Sequence, residues 1–192
     1  MHKRVDLSRL EWFHEPQLSI QSADKLVIET EPYSSLSSFQ QEELLAFGTA
    51  DRRMTEFTVT VKMSYQFREP QDECGIVIRL NDERWEKFGV ALKNREVAEI
   101  ICTRYSHGLI DKSMREIGSG IIVLYLKAHY NHGSVAFAYS MNGKKYTDFR
   151  STQFVDDERE AQYCLYACSP GNSYFDVTFS GLELETVEEE KE

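Results

Sequence analysis

Four sets of residues in this chain are spaced so that they could do chemistry. Asp156, Glu158 and Glu160 lie two apart in the run FVDDEREAQY. On a strand such acids share one face, and carboxylates about 5 to 5.5 Å apart serve retaining glycosidases, or about 6.5 to 9.5 Å apart inverting ones. The run has no apolar partner face, so it reads as a charged loop. Asp72 and Glu73 are a second acidic pair, which either projects toward Trp85 or Lys87 across a sheet or caps a strand end. His129 and His132, with His107 or Asp111, could gather a metal, but zinc sites show denser Cys/His spacing, and these read as turn histidines. Asn81-Asp82-Glu83 offers hard oxygens without a complete calcium ligand set and reads as a hairpin turn. No serine sits in a Gly-x-Ser-x-Gly elbow and no glycine-rich phosphate loop occurs, so neither a catalytic residue nor a cofactor or metal is expected.

What remains is aromatic. Trp85, Tyr33, Tyr105 and His107 lie in or beside polar connections, where a planar ring can stack on the apolar face of a sugar. Arg79, Lys87, Glu86 and Arg104 lie close enough in sequence to bond its hydroxyls, completing a candidate ligand-binding set. Trp85 alternates with Phe88, Val90 and Leu92 and therefore faces away from them. Either it lines a concave groove or both faces of its sheet are buried.

The elements that must position these groups are strands. Residues 73–92, ECGIVIRLNDERWEKFGVAL, read as a hairpin in which Cys74, Ile76, Ile78 and Leu80 share one face. From Phe57 to Tyr65 apolar residues alternate with Thr58, Thr60, Lys62 and Ser64, the mark of a half-buried strand. Residues 97–104, 121–130, 134–141, 146–150, 162–168 and 174–185 continue in this manner, with turns at Asn131-His132-Gly133 and Asn142-Gly143 and a bulge at Gly181. One stretch resembles a helix: Ser38 as N-cap of FQQEELLAFG, with Gly48 as terminator, although an ordered loop fits it as well. About a dozen short strands cannot cover both faces of one open sheet. The expected class is all-β, a two-sheet antiparallel sandwich of jelly-roll type, with an up-and-down barrel as the rival.

A chain of 192 residues with 41% apolar content can bury one core, and a single domain over residues 1–186 is expected. The net charge of −10 disfavours nucleic acid, since phosphate binding needs a basic surplus. Half of that charge lies in the last ten residues, and residues 187–192 read as a frayed acidic tail. No apolar run reaches the ~20 residues that span a bilayer, and the start has no signal-peptide core. No membrane partner and a cytoplasmic location are therefore expected, with oligomeric state left open. Cys74, Cys102, Cys164 and Cys168 each sit in an apolar strand-like run and read as reduced core residues.

The order of motifs resembles a known family. An acidic pair precedes the strand Cys74-Gly75-Ile76-Val77-Ile78-Arg79; then come Trp85, Lys87, Gly89 and Val90, and the strand Ile100-Ile101-Cys102-Thr103. Tyr139-Ser140-Met141-Asn142-Gly143-Lys144-Lys145-Tyr146, Arg150 and Ala167-Cys168-Ser169-Pro170-Gly171 follow. This succession, over roughly residues 10 to 185, resembles an uncharacterised family of concanavalin A-like sandwiches that includes regulation-of-enolase-type proteins. Where that family carries Thr-Asp-aromatic-Trp and Ser-Asp-Trp segments, this chain has Pro32-Tyr33-Ser34-Ser35 and Tyr105-Ser106-His107-Gly108. By fold analogy the resemblance implies a carbohydrate ligand, bound without catalysis in a lectin-like cytoplasmic protein linked to sugar metabolism or its regulation. A glycoside hydrolase on the same sandwich and a protein-interaction module are the alternatives.

Overall fold

The computed structural model describes residues 2–36, 45–47, 53–154 and 160–186. Fifteen strands run among them: β1 (His2–Arg4), β2 (Glu11–His14), β3 (Ser19–Gln21), β4 (Lys25–Glu29), β5 (Leu45–Phe47), β6 (Glu56–Tyr65), β7 (Glu73–Asn81), β8 (Arg84–Leu92), β9 (Val97–Ser106), β10 (Leu109–Gly118), β11 (Val123–Asn131), β12 (Ser134–Ser140), β13 (Thr147–Gln153), β14 (Gln162–Cys168) and β15 (Asp176–Thr186). The only helical turn among the described residues is the 3-10 turn Leu7–Arg9, capped by the Asp6 carboxylate on the Ser8 amide. No helix there is long and apolar enough to cross a membrane.

The strands form two antiparallel sheets, as the alternation demands. Sheet A has the order β13-β12-β11-β6-β15-β4-β3, with β1 also on β15, and sheet B has the order β10-β9-β8-β7-β14-β5-β2. Their inner faces meet in one core, where Phe57, Val59, Val61, Met63 and Tyr65 of β6 pack with Cys74, Ile76, Ile78 and Leu80 of β7. The up-and-down barrel alternative falls away because the two sheets share no strand.

The turns follow their residues. His132 and Gly133 both have positive φ between β11 and β12, and His107 and Gly108 repeat this between β9 and β10, the two-residue geometry that matches strand twist. Gly181, with φ 57°, sits in the register shift between Ser180 and Glu183, which is the bulge expected there. Asn142-Gly143 belongs to a longer connection over residues 141–146, in which Asn142 Oδ1 accepts from the Lys144 and Lys145 amides and Ser140 Oγ from those of Asn142 and Gly143.

Two readings need correction. Leu45–Phe47 of the helix-like stretch is a strand, paired with both β14 and β2, because tertiary pairing overrides a weak local helix signal; the rest of that stretch, residues 38–44 and 48, lies outside the described residues. Strand β10 was not anticipated. It is a sheet edge exposed along most of its length, so Asp111, Lys112, Arg115 and Glu116 replace the apolar face that announces a strand. Asp156 and Glu158 of the acidic run and the acidic tail also lie outside the described residues.

Candidate functional site

Residues directly opposite each other on antiparallel strands project to the same side of the sheet. The registers of β14, β7, β8, β9 and β10 therefore lay out the outer face of sheet B in rows. One row is Gln162, Arg79, Trp85, Tyr105 and Ile110; the next is Cys164, Val77, Lys87, Thr103 and Lys112. Beyond them come Tyr166, Gly75, Gly89, Ile101 and Met114, then Cys168, Glu73, Ala91, Glu99 and Glu116.

The centre of this face is not bare. Val77, Trp85, Cys164, Tyr166 and Cys168 form a second apolar cluster with Leu36, which the chain lays across the sheet after β4. Trp85 is 2% exposed and stacks on Tyr105 with ring centroids 5.3 Å apart and planes 17° apart. Tyr105 itself is half-buried. Gly75 and Gly89 face each other in the floor, and a Cβ on Gly89 would stand 2.0 Å from the Cys74 carbonyl oxygen. Only glycine lets the two backbones lie this way, and the flat floor leaves room for long side chains from adjoining rows. Lys87 reaches over it to Glu73, Nζ to Oε2 2.9 Å, and its ammonium stands 5.6 Å from the Tyr166 ring centre. The Tyr166 hydroxyl donates to the other Glu73 oxygen. Burial, reinforced by the Glu73 charge, pushes the Tyr166 hydroxyl pKa well up, so it stays a donor. Thr103, beside Lys87, has a buried Oγ1 with no hydrogen-bond partner.

The inner face of the same strands carries a different group. Glu86 is fully buried between the sheets, where it accepts from Thr152 Oγ1 and from the Cys102 thiol at 3.1 Å, with Arg150 Nε 3.4 Å away. Arg150 also binds Asp111 on the edge strand β10 and donates to Ser113 Oγ at 2.9 Å, tying sheet A to sheet B. Burial raises the Glu86 pKa; the Thr152 and Cys102 hydrogen bonds and the Arg150 and Arg104 charges oppose it. Burial likewise pushes the Cys102 thiol up, so it is no ready nucleophile. All four cysteines are buried and free.

The eight candidate binding residues therefore do not form one site. Arg79, Trp85, Lys87 and Tyr105 share the outer face of sheet B. Glu86 and Arg104 are paired on its inner face, where the Arg104 guanidinium donates to the Gln153 carbonyl at 2.8 Å. His107 occupies the β9–β10 turn next to Tyr105, with Nδ1 3.2 Å from Glu83. Tyr33 is 72% exposed and its amide donates to the Gly171 carbonyl past the far end of β14, roughly 20 Å along the strand from Tyr105 at ~3.3 Å per residue. Glu73 of the acidic pair does reach Lys87, while Asp72 Oδ2 accepts the Arg68 and Glu69 amides. Among the described residues no group of three or more His, Cys, Asp or Glu could hold a metal. Tyr166 and Thr103 were missed, yet QYCLYAC in β14 is a continuous apolar run, the pattern of a strand covered on both faces.

Comparison with known proteins agrees with this architecture. The chain is 22% identical over 188 residues to "Regulation of enolase protein 1" of Saccharomyces cerevisiae, covering 95% of this chain and 92% of that protein. It is similar, with a TM-score of 0.80 and 22% identity, to the crystal structure of a functionally unknown protein from Saccharomyces cerevisiae, covering 96% of this chain and 100% of that one. The sandwich is also similar to part of a xylan beta-1,4-xylosidase from Bacillus halodurans, with a TM-score of 0.66 and 16% identity over 92% of this chain but 39% of that one. A family model matches residues 12–187, nearly the whole sandwich, and the chain thus belongs to the family described as "Protein of unknown function (DUF1349)".

Proposed function

We propose that this protein binds carbohydrate without turning it over, as a lectin-like cytoplasmic protein linked to sugar metabolism or its regulation. The observation that carries this reading is the Tyr105 ring. It is half-buried and backed by the buried Trp85, so it is a rigid aromatic platform at the margin of the outer face of sheet B. Sugar recognition needs such a platform beside polar groups that fix orientation. The exposed Lys112, opposite Thr103 in the adjoining row, supplies a cation. Glu73 is held by both Lys87 and Tyr166, an arrangement that serves to fix the face rather than to attack a glycosidic bond. The printed name of the yeast relative ties that protein to regulation of enolase, and the xylosidase shows that this sandwich occurs in proteins that act on glycans.

A glycan array, followed by titration of the best ligand, tests the reading. Tyr105→Ala should weaken binding roughly tenfold to a hundredfold, about 1 to 3 kcal/mol for losing one buried aromatic contact, with the melting temperature little changed. Retention of no glycan, or equal affinity in Tyr105→Ala, would overturn it. Sugar release that disappears in Glu73→Gln would replace binding by hydrolysis.

A further inference from the structure

The end of the sandwich remote from Tyr105 holds a cavity that the reading above does not use. The connections from β6 to β7 and from β10 to β11 are among those that cross between the sheets there. These two crossings and the end of β8 border an open cleft of about 390 Å³ lined by Tyr65, Phe67, Arg68, Leu92, Arg95 and Ile122, among others. That volume suits a small molecule.

One wall of this cavity is apolar. Tyr65 and Phe67 stack with ring centroids 4.6 Å apart, and Phe67 meets Phe175 edge-on at 4.9 Å. Ile122, nearly half exposed, and Leu92 continue the wall. The polar groups are of two kinds. The Tyr65 side chain is 3% exposed, yet its hydroxyl has no hydrogen-bond partner. Burial raises its pKa, so the hydroxyl remains a donor. Arg68 and Arg95 are exposed at the rim, and among the described residues neither forms an ion pair. In a chain with 32 acidic against 22 basic residues, two such arginines on one cavity are a departure from the general surface. Arg68 lies over the Tyr174 ring, its guanidinium carbon 4.2 Å from the centroid, a contact that restrains this long side chain. The neighbouring acid, Asp72, is turned to the Arg68 and Glu69 amides and does not line the cavity.

We infer that this cavity binds a small organic anion, an apolar or aromatic body lying on Tyr65 and Phe67 with its carboxylate or phosphate between Arg68 and Arg95. A planar guanidinium bonds either anionic group bidentately. The site is independent of Tyr105 and stands whether or not sugar binds there.

Calorimetric titration of the full chain with phenyl phosphate, benzoate, inorganic phosphate and the neutral benzyl alcohol tests this. At least one aromatic anion should bind more tightly than both inorganic phosphate and benzyl alcohol, and the two aromatic anions compared with each other tell phosphate monoester from carboxylate. Arg68→Gln with Arg95→Gln should weaken binding at least tenfold while leaving the fold intact, since both side chains are exposed. The inference is overturned if neither aromatic anion binds, if benzyl alcohol binds as well as the anions, or if the double arginine variant binds like wild type.

Discussion

The outer faces of the two sheets are built on opposite plans. On sheet A, Thr58, Thr60, Lys62 and Ser64 of β6 lie half-buried beside Tyr125, Lys127 and His129 of β11. Their contacts are part-buried and polar in character, Thr58 Oγ1 to His129 Nδ1 at 2.9 Å and Lys62 over the Tyr125 ring at 5.9 Å. On sheet B, the corresponding positions of β7 and β8 hold Val77, Trp85 and the Glu73–Lys87 pair under Leu36. A solvated face tolerates change because water replaces what is lost. A covered face does not, since a void or an unpaired charge there has no such remedy.

Trp85→Ala should produce the largest effect. Deleting a buried indole costs about 3 to 5 kcal/mol through lost burial and the cavity left behind, seen as a lower urea midpoint at unchanged m-value. A loss below about 1 kcal/mol would mean that the outer face of sheet B is as open as that of sheet A.

Next is Lys87→Met, which strands the Glu73 carboxylate on the covered face and should cost about 3 kcal/mol. Adding Glu73→Gln should recover much of that loss, leaving the Tyr166 hydrogen bond in place. Equal stability of the single and double variants would show that the pair is screened as on a surface.

The inner face of sheet B adds a pH signature that sheet A's outer face lacks. Burial raises the folded-state pKa of Glu86 above the ordinary 4.5, so the folded protein holds a proton that the unfolded chain releases. Stability from this group is therefore fully present below that ordinary value and lost as pH rises through the raised one. Glu86→Gln, which stays neutral, should flatten this fall in denaturation midpoint measured against pH. An unchanged slope would assign the dependence to other groups.

The smallest effect belongs to sheet A. Thr60→Ala should change stability by no more than about 0.5 kcal/mol, because the site is a half-solvated strand face. A loss comparable to that of Trp85→Ala would erase the contrast.

Much of this was legible in the chain. Strand β6 announces itself because one face meets the core and the other meets water, so the period of two survives in residue types. The β7–β8 hairpin, the Gly181 bulge and the positive-φ turn at His132-Gly133 were legible for equally local reasons, side-chain alternation and backbone sterics. Strand β10 was illegible because an exposed edge strand has no apolar face to alternate, and β5 because its pairing with β14 and β2 is remote in sequence.

The candidate site divides along the same line. Residue types singled out Trp85, Lys87, Arg79 and Tyr105, and the period of two put Trp85 and Glu86 on opposite faces, but no local pattern says what lies above a face. Tertiary structure alone laid Leu36 over Trp85, carried Arg150 and Thr152 from the other sheet to Glu86, and placed Tyr33 at the far end of β14 from Tyr105. The reason is physical: alternation and turn chemistry act over a few residues and are written in sequence, whereas the burial of a face depends on segments tens of residues away, whose approach no neighbouring residue encodes.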